Sequence, residues 1–143
     1  MRELTIPARR NRLDEVLAFY DEDILAQDCI RNVKVHLHVA IEEIFVNIAS
    51  YAYPDGEGMV TVTSEVLPGA EGEDPTLEMK FIDQGIPFDP LAKPDPDISL
   101  DGEHRQIGGL GIYMVKKRMD EVRYERSGDR NILTIYKKLK KEK

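Results

Sequence analysis

Between Arg31 and Ala52 the chain repeats its apolar residues at one helical spacing. Val33, Leu37, Ala40, Ile41, Ile44, Ile48 and Ala52 all fall within a single arc when each residue advances about 100°. A helix so one-sided needs an apolar surface to cover. The following residues supply one: Met59 to Leu67 alternates Val60, Val62 and Val66 against Thr61, Thr63 and Glu65, and Leu77, Met79 and Phe81 alternate again after the polar stretch Pro68 to Pro75. This pattern predicts two strands of an antiparallel hairpin under the helix, with Leu77 to Ile82 as the second strand.

The remaining segments extend that layer. Leu4 and Ile6 predict a short first strand ended by Pro7, and Leu13, Val16, Leu17, Tyr20 and Ile24 predict a helix from about Asn11 to Ala26. Ile112, Val115, Met119 and Val122 carry helical spacing, and Arg123 to Arg126 and Ile132 to Leu139 read as strands joined by Ser127 to Arg130. The expected fold class is α/β (α+β), a two-layer sandwich with an about five-stranded mixed sheet and helices on one face. At 143 residues the chain is expected to form one domain, residues 1–143. Pro87 to Ile107, with Pro87, Pro90, Pro94 and Pro96 and little periodic apolar content, is expected to be a long functional loop.

Composition excludes several classes of function. The 27 acidic residues outnumber the 20 basic ones, giving a formal charge of −7, so broad electrostatic capture of nucleic acid is not expected. The lysine-rich segment from Lys137 to Lys143 reads as a solvated tail. No apolar run approaches the roughly 20 residues of a membrane span. Met1 to Pro7 lacks the apolar stretch of a secretory signal, and the single Cys29 cannot close an intramolecular disulfide. A cytoplasmic location with no membrane partner is therefore expected. His36, His38 and His104 have neither an i, i+4 partner nor nearby cysteines, so they read as surface or helix-flank residues rather than metal ligands.

Three short motifs carry chemistry. Glu43 and Asn47, four residues apart, stand one above the other at the margin of the apolar arc, while Glu42 points roughly opposite it. An asparagine carbonyl suits Mg²⁺, and a neighbouring carboxylate can take a proton from an attacking hydroxyl. Asp83 shares strand parity with Leu77, Met79 and Phe81 and ends that run at Gly85. Its carboxylate can accept from an amino group such as that of adenine, and Gly85 permits close approach of a base to the backbone. Gly108, Gly109 and Gly111 precede the third helix, whose free N–H groups and dipole favour phosphate oxygens. Taken singly, the helix pair equally fits an amphipathic flank, Asp-x-Gly an ordinary strand exit, and the glycines a hinge. Neither a P-loop nor a dinucleotide-binding Gly-x-Gly-x-x-Gly pattern is present.

The order Glu-x-x-x-Asn on a helix, Asp-x-Gly after a strand, a Pro-rich stretch, then Gly-Gly-x-Gly opening a helix resembles the N, G1 and G2 boxes of the GHKL ATPase superfamily. The resemblance covers roughly Arg31 to Leu139. Within that superfamily the chain is most similar to the anti-sigma factor serine/threonine-protein kinases. It implies a Bergerat-type, histidine-kinase-like ATPase domain that binds ATP with Mg²⁺ and has a lid at about residues 87–107. Glu43 would be the general base, Asn47 the magnesium ligand, Asp83 the adenine reader beside Gly85, and Gly108, Gly109 and Gly111 the phosphate cradle. The implied activity is phosphorylation of a serine on an anti-anti-sigma (STAS-type) partner, with sequestration of a sigma factor, often as a homodimer. The alternative is an ATP-binding regulatory interaction module without kinase activity. Two departures stand out: Pro87 replaces the second glycine of Asp-x-Gly-x-Gly, and Tyr51-Ala-Tyr53 replaces His-Ala-Tyr after the N box. A complete sensor kinase is not expected, because no phosphoacceptor-histidine helix is evident.

Overall fold

A computed structural model describes residues 1–92 and 109–141. The chain begins as strand β1 (Arg2–Pro7), passes through a short 3-10 turn (Arg10–Arg12), and enters helices α1 (Leu13–Ala26) and α2 (Arg31–Tyr51). The hairpin β2 (Met59–Leu67) and β3 (Thr76–Asp83) follows, then a second 3-10 turn (Pro90–Ala92), helix α3 (Gly109–Arg118), and the hairpin β4 (Glu121–Ser127) and β5 (Arg130–Lys138). The expected α1, α2 and β2 are found within two residues of their expected ends. His104 and most of the expected long loop lie outside the described residues.

One sheet carries the strands in the order β1-β2-β3-β5-β4. Every neighbouring pair is antiparallel, which corrects the expectation of a mixed sheet. The reason lies in where β5 goes. β3 and β4, separated in the chain by α3, run parallel to each other, but β5 folds back from the Gly128 turn and inserts between them. The turn needs only two residues because Gly128 adopts a φ of 61°, the left-handed conformation that glycine reaches without strain.

Strand parity then decides the two faces. Ile6, Val60, Val62, Leu77, Met79, Phe81, Leu133 and Ile135 join Val16, Tyr20, Ile24, Leu37, Ile41, Ile44 and Phe45 in one buried cluster between the helices and one face of the sheet. Tyr20 leans on Phe19 and Phe81, with ring centroids 5.2 and 5.7 Å away. Fully burying side chains of this size stabilises a fold by about 1.5–3 kcal/mol each, so this layer dominates stability.

Two local expectations are corrected. Helix α3 ends at Arg118, and Val122 belongs to β4 opposite Ile135. Asp120 makes the break: its N–H donates to the Tyr136 carbonyl, and its carboxylate accepts from the Lys138 N–H, so the chain is already locked to β5 before a further helical turn can form. The lysine-rich C-terminal segment is not simply a tail. Lys137 and Lys138 complete β5, Leu139 is fully buried, and Lys141 bridges to Cys29. Alternation continued to Leu139 and outweighed the charge of its neighbours. Cys29 is a free, buried thiol, raised in pKa chiefly by burial.

Candidate functional site

The sheet register brings the distant candidates together. Val60, Asp83 and Asn131 form one cross-strand row on the helix-covered face, with Arg126 next in line on β4. Helix α2 passes over the end of this row. Between them lies a pocket lined by Ile44, Asn47 and Tyr51 of α2, Phe81 and Asp83 of β3, and Asn131 of β5, among others. Ile112, in the first turns of α3, completes one wall. The lining is apolar apart from a few convergent polar groups, the usual character of a small-molecule site.

Asp83 is 5% exposed. A carboxylate so buried requires hydrogen bonds, and both that it receives reach the same oxygen: Gly85 N–H and Asn131 Nδ2 each donate to Oδ1 over 2.9 Å. Among the described residues Oδ2 accepts none, so its acceptor capacity is available to a ligand.

The chain leaving β3 is held residue by residue. Gln84 N–H donates to the Tyr53 hydroxyl at 2.8 Å, and Ile86 N–H donates to the Ala52 carbonyl at 3.0 Å. In return, the Gly85 carbonyl accepts from Arg126 Nη1 and the Ile86 carbonyl from Asn131 Nδ2, each at 2.8 Å. A Cβ on residue 85 would stand 2.2 Å from the Ala52 carbonyl oxygen, so glycine is required here by the close passage of the α2 C-terminus. Tyr53 also donates to the Met59 carbonyl at 2.6 Å. Burial raises the pKa of its phenol; the Gln84 N–H opposes that rise and the nearby Asp83 charge adds to it.

On α2, Glu42 is exposed, while Glu43 and Asn47 are half-buried, as the helical wheel places them. Neither Glu43 nor Asn47 has a side-chain hydrogen bond or ion pair among the described residues. Asn47 lines the pocket beside Asp83; Glu43, one turn earlier, is not among its lining residues. Gly109 and Gly111 lie inside the first turn of α3, which begins earlier than the sequence suggested. Gly108 lies outside the described residues. Among the described residues no three histidine, cysteine, aspartate or glutamate side chains gather as a metal site. A cation in this pocket would therefore depend on the Asn47 amide oxygen and on ligand oxygens. That donor set fits Mg²⁺, which keeps few protein ligands and prefers phosphate and water.

Asn131, Tyr124 and Arg126 were not among the sequence candidates. Asn131 shares parity with Leu133 and Ile135, so a polar residue on the core-facing side of an apolar strand was the available signal.

A family model described as a histidine kinase-like ATPase domain matches residues 6–137, and the chain belongs to that family. It is 33% identical over 101 residues to the serine-protein kinase RsbW of Bacillus cereus (strain B4264), which covers 68% of this chain and 57% of that protein. It is 31% identical over 101 residues to the serine-protein kinase RsbW of Bacillus anthracis (strain A0248), with the same coverage. The chain thus spans somewhat over half the length of these relatives. Among solved structures, the RsbU and RsbW domains of Rv1364c from Mycobacterium tuberculosis align over 100% of this chain and 35% of that one, at a TM-score of 0.60 and 17% identity. The histidine kinase domain of the Erythrobacter litoralis EL346 blue-light activated histidine kinase aligns over 94% of this chain and 62% of that one, at a TM-score of 0.53 and 16% identity. Both likenesses concern the fold. No helix among the described residues is long and apolar enough to cross a membrane.

Proposed function

We propose that the chain is an ATP-dependent serine/threonine-protein kinase acting as an anti-sigma regulator. Its protein substrate is an anti-anti-sigma partner of the STAS type, and its second partner is a sigma factor that it sequesters, as a homodimer. The observation that carries the reading is the convergence of Asn47 and buried Asp83 on one pocket, with Glu43, unpaired among the described residues, a single helical turn from Asn47. Family membership and the serine-protein kinase relatives support it.

In this reading adenine enters the pocket with its 6-amino group donating to Asp83 Oδ2. The phosphates lie toward the first turn of α3, where Gly109 and Gly111 would serve as the cradle together with Gly108, which lies outside the described residues, and free backbone N–H groups meet negative charge. Asn47 would hold Mg²⁺ through its amide oxygen, and the ion would supply charge neutralisation for the phosphates. The partner's serine oxygen attacks the γ-phosphorus, the bond from that phosphorus to the β,γ-bridging oxygen breaks, and the serine proton passes to the Glu43 carboxylate. ADP and phosphoserine result. The chain's contribution is positioning and charge complementarity, as is general for phosphoryl transfer.

The test is incubation with labelled ATP, Mg²⁺ and a STAS-type protein from the same genome. Phosphate should appear on a serine, and Glu43→Ala should slow transfer by about 10²–10⁴-fold with little change in ATP affinity. Transfer unchanged by that substitution would remove Glu43 as the base. One observation favours the alternative, a non-phosphorylating ATP-binding module: Glu43 is not among the residues that line the pocket. ATP binding with no transfer to any such partner would select it.

A further inference from the structure

Asn131 spends all of its hydrogen-bonding capacity on the protein. Its two amide N–H groups go to Asp83 Oδ1 (2.9 Å) and the Ile86 carbonyl (2.8 Å). Its Oδ1 accepts from the Tyr124 hydroxyl at 2.5 Å and Arg126 Nη1 at 3.2 Å, with the Phe88 N–H at 3.5 Å. A flipped amide would set its NH₂ against the Arg126 and Phe88 donors and its oxygen against two acceptors, so the surrounding groups permit one orientation. Although Asn131 lines the pocket, it has no donor or acceptor left for a base.

We infer that Asn131 is a positioning residue for base selection: it sets the rotation of the Asp83 carboxylate, so that Oδ2 is the acceptor presented to the nucleotide. The inference rests on reading the pocket as an ATP site. A carboxylate turns freely about its last side-chain torsion, which is broad and roughly two-fold. Here Gly85 N–H and Asn131 Nδ2 converge on one oxygen and hold it, leaving the other without a partner among the described residues. A base that offers an amino hydrogen to Oδ2 completes the set. A purine without that amine offers nothing, and one with a carbonyl there opposes two acceptors. Without Asn131 the carboxylate loses one of its two restraints, and the preference for the amine weakens.

The experiment measures dissociation constants of the full chain for ATP and for purine riboside triphosphate, which lacks the 6-amino group. The unsubstituted chain should prefer ATP by about tenfold or more, the worth of one hydrogen bond to a charged group. Asn131→Ala should lower that preference to about threefold or less, through weaker ATP binding and nearly unchanged analogue binding. Asn131→Ser, which keeps one donor and replaces the alanine variant if that one fails to fold, should fall between. Equal weakening of both ligands, with the preference intact, would overturn the inference and leave Asn131 a purely structural residue. No ATP preference in the unsubstituted chain would overturn the reading of Asp83 itself. No ATP binding at all would remove the proposed function, and this inference with it.

Discussion

Asn131 on β5 stands directly opposite Asp83 on β3 and donates a 2.9 Å hydrogen bond to its Oδ1. Adjacent strands thus supply both the carboxylate and the group that orients it, in a row set by ladder register rather than by a loop. A site built on paired strands is held more tightly than one built on loops. Helix α2, which supplies Asn47, is fixed over the same row by the buried contacts of Ile41, Ile44 and Phe45.

Gly85→Ala is expected to be damaging although the residue is small. The added Cβ would meet the Ala52 carbonyl oxygen at 2.2 Å, and neither the end of α2 nor the strand exit can yield without breaking the Ile86–Ala52 and Gln84–Tyr53 bonds. The cost should be about 2 kcal/mol or more. Thermal denaturation should show a midpoint lower by about 4–8 °C.

Stability should fall in alkali, and Tyr20 should contribute to the loss. Its phenol is fully buried, and burial raises its pKa well above 10.0. Its folded pKa therefore lies above its unfolded one, so this group's contribution is complete below pH 10 and declines as pH rises from there toward the folded pKa. Its hydroxyl donates only a long 3.3 Å bond to the Lys80 carbonyl, so Tyr20→Phe should cost about 1 kcal/mol or less at neutral pH. Urea midpoints at pH 8 and pH 10.5 should differ less in that variant than in the unsubstituted chain.

Asn47→Ala should separate metal from base recognition. ATP affinity measured with Mg²⁺ should fall by about tenfold, while affinity measured in excess chelator should change little, because Asn47 bonds to no other described side chain. Isothermal titration under the two conditions checks this.

The layers of the fold were legible in the sequence because periodicity reports burial directly. Val60 to Val66 and Leu77 to Phe81 alternate, α2 keeps its apolar arc, and each is found where the pattern put it. Strand direction was not legible: no local signal in Ile132 to Leu139 states that β5 enters between β3 and β4. The end of α3 was not legible either: Val122 continues the helical spacing by coincidence, and the competing bonds of Asp120 to β5 are tertiary. The prominent motif residues were readable as types, and Asn47 and Asp83 meet in one pocket. The network that orients Asp83 was hidden, since Asn131 and Arg126 join it only through sheet register. Gly85 shows the same gap: the sequence suggested room for a base, whereas the crowding at that position comes from Ala52.

The most direct measurement is titration of ATP with Mg²⁺ into the unsubstituted chain and into Asp83→Asn. The variant can keep an oxygen facing Gly85 N–H and Asn131 Nδ2, so its fold should persist, but it then turns an amide donor toward the adenine amine. The expected result is saturable binding to the unsubstituted chain and a loss of about tenfold to a hundredfold in the variant. Equal affinity in the two, with both folded, would contradict the account.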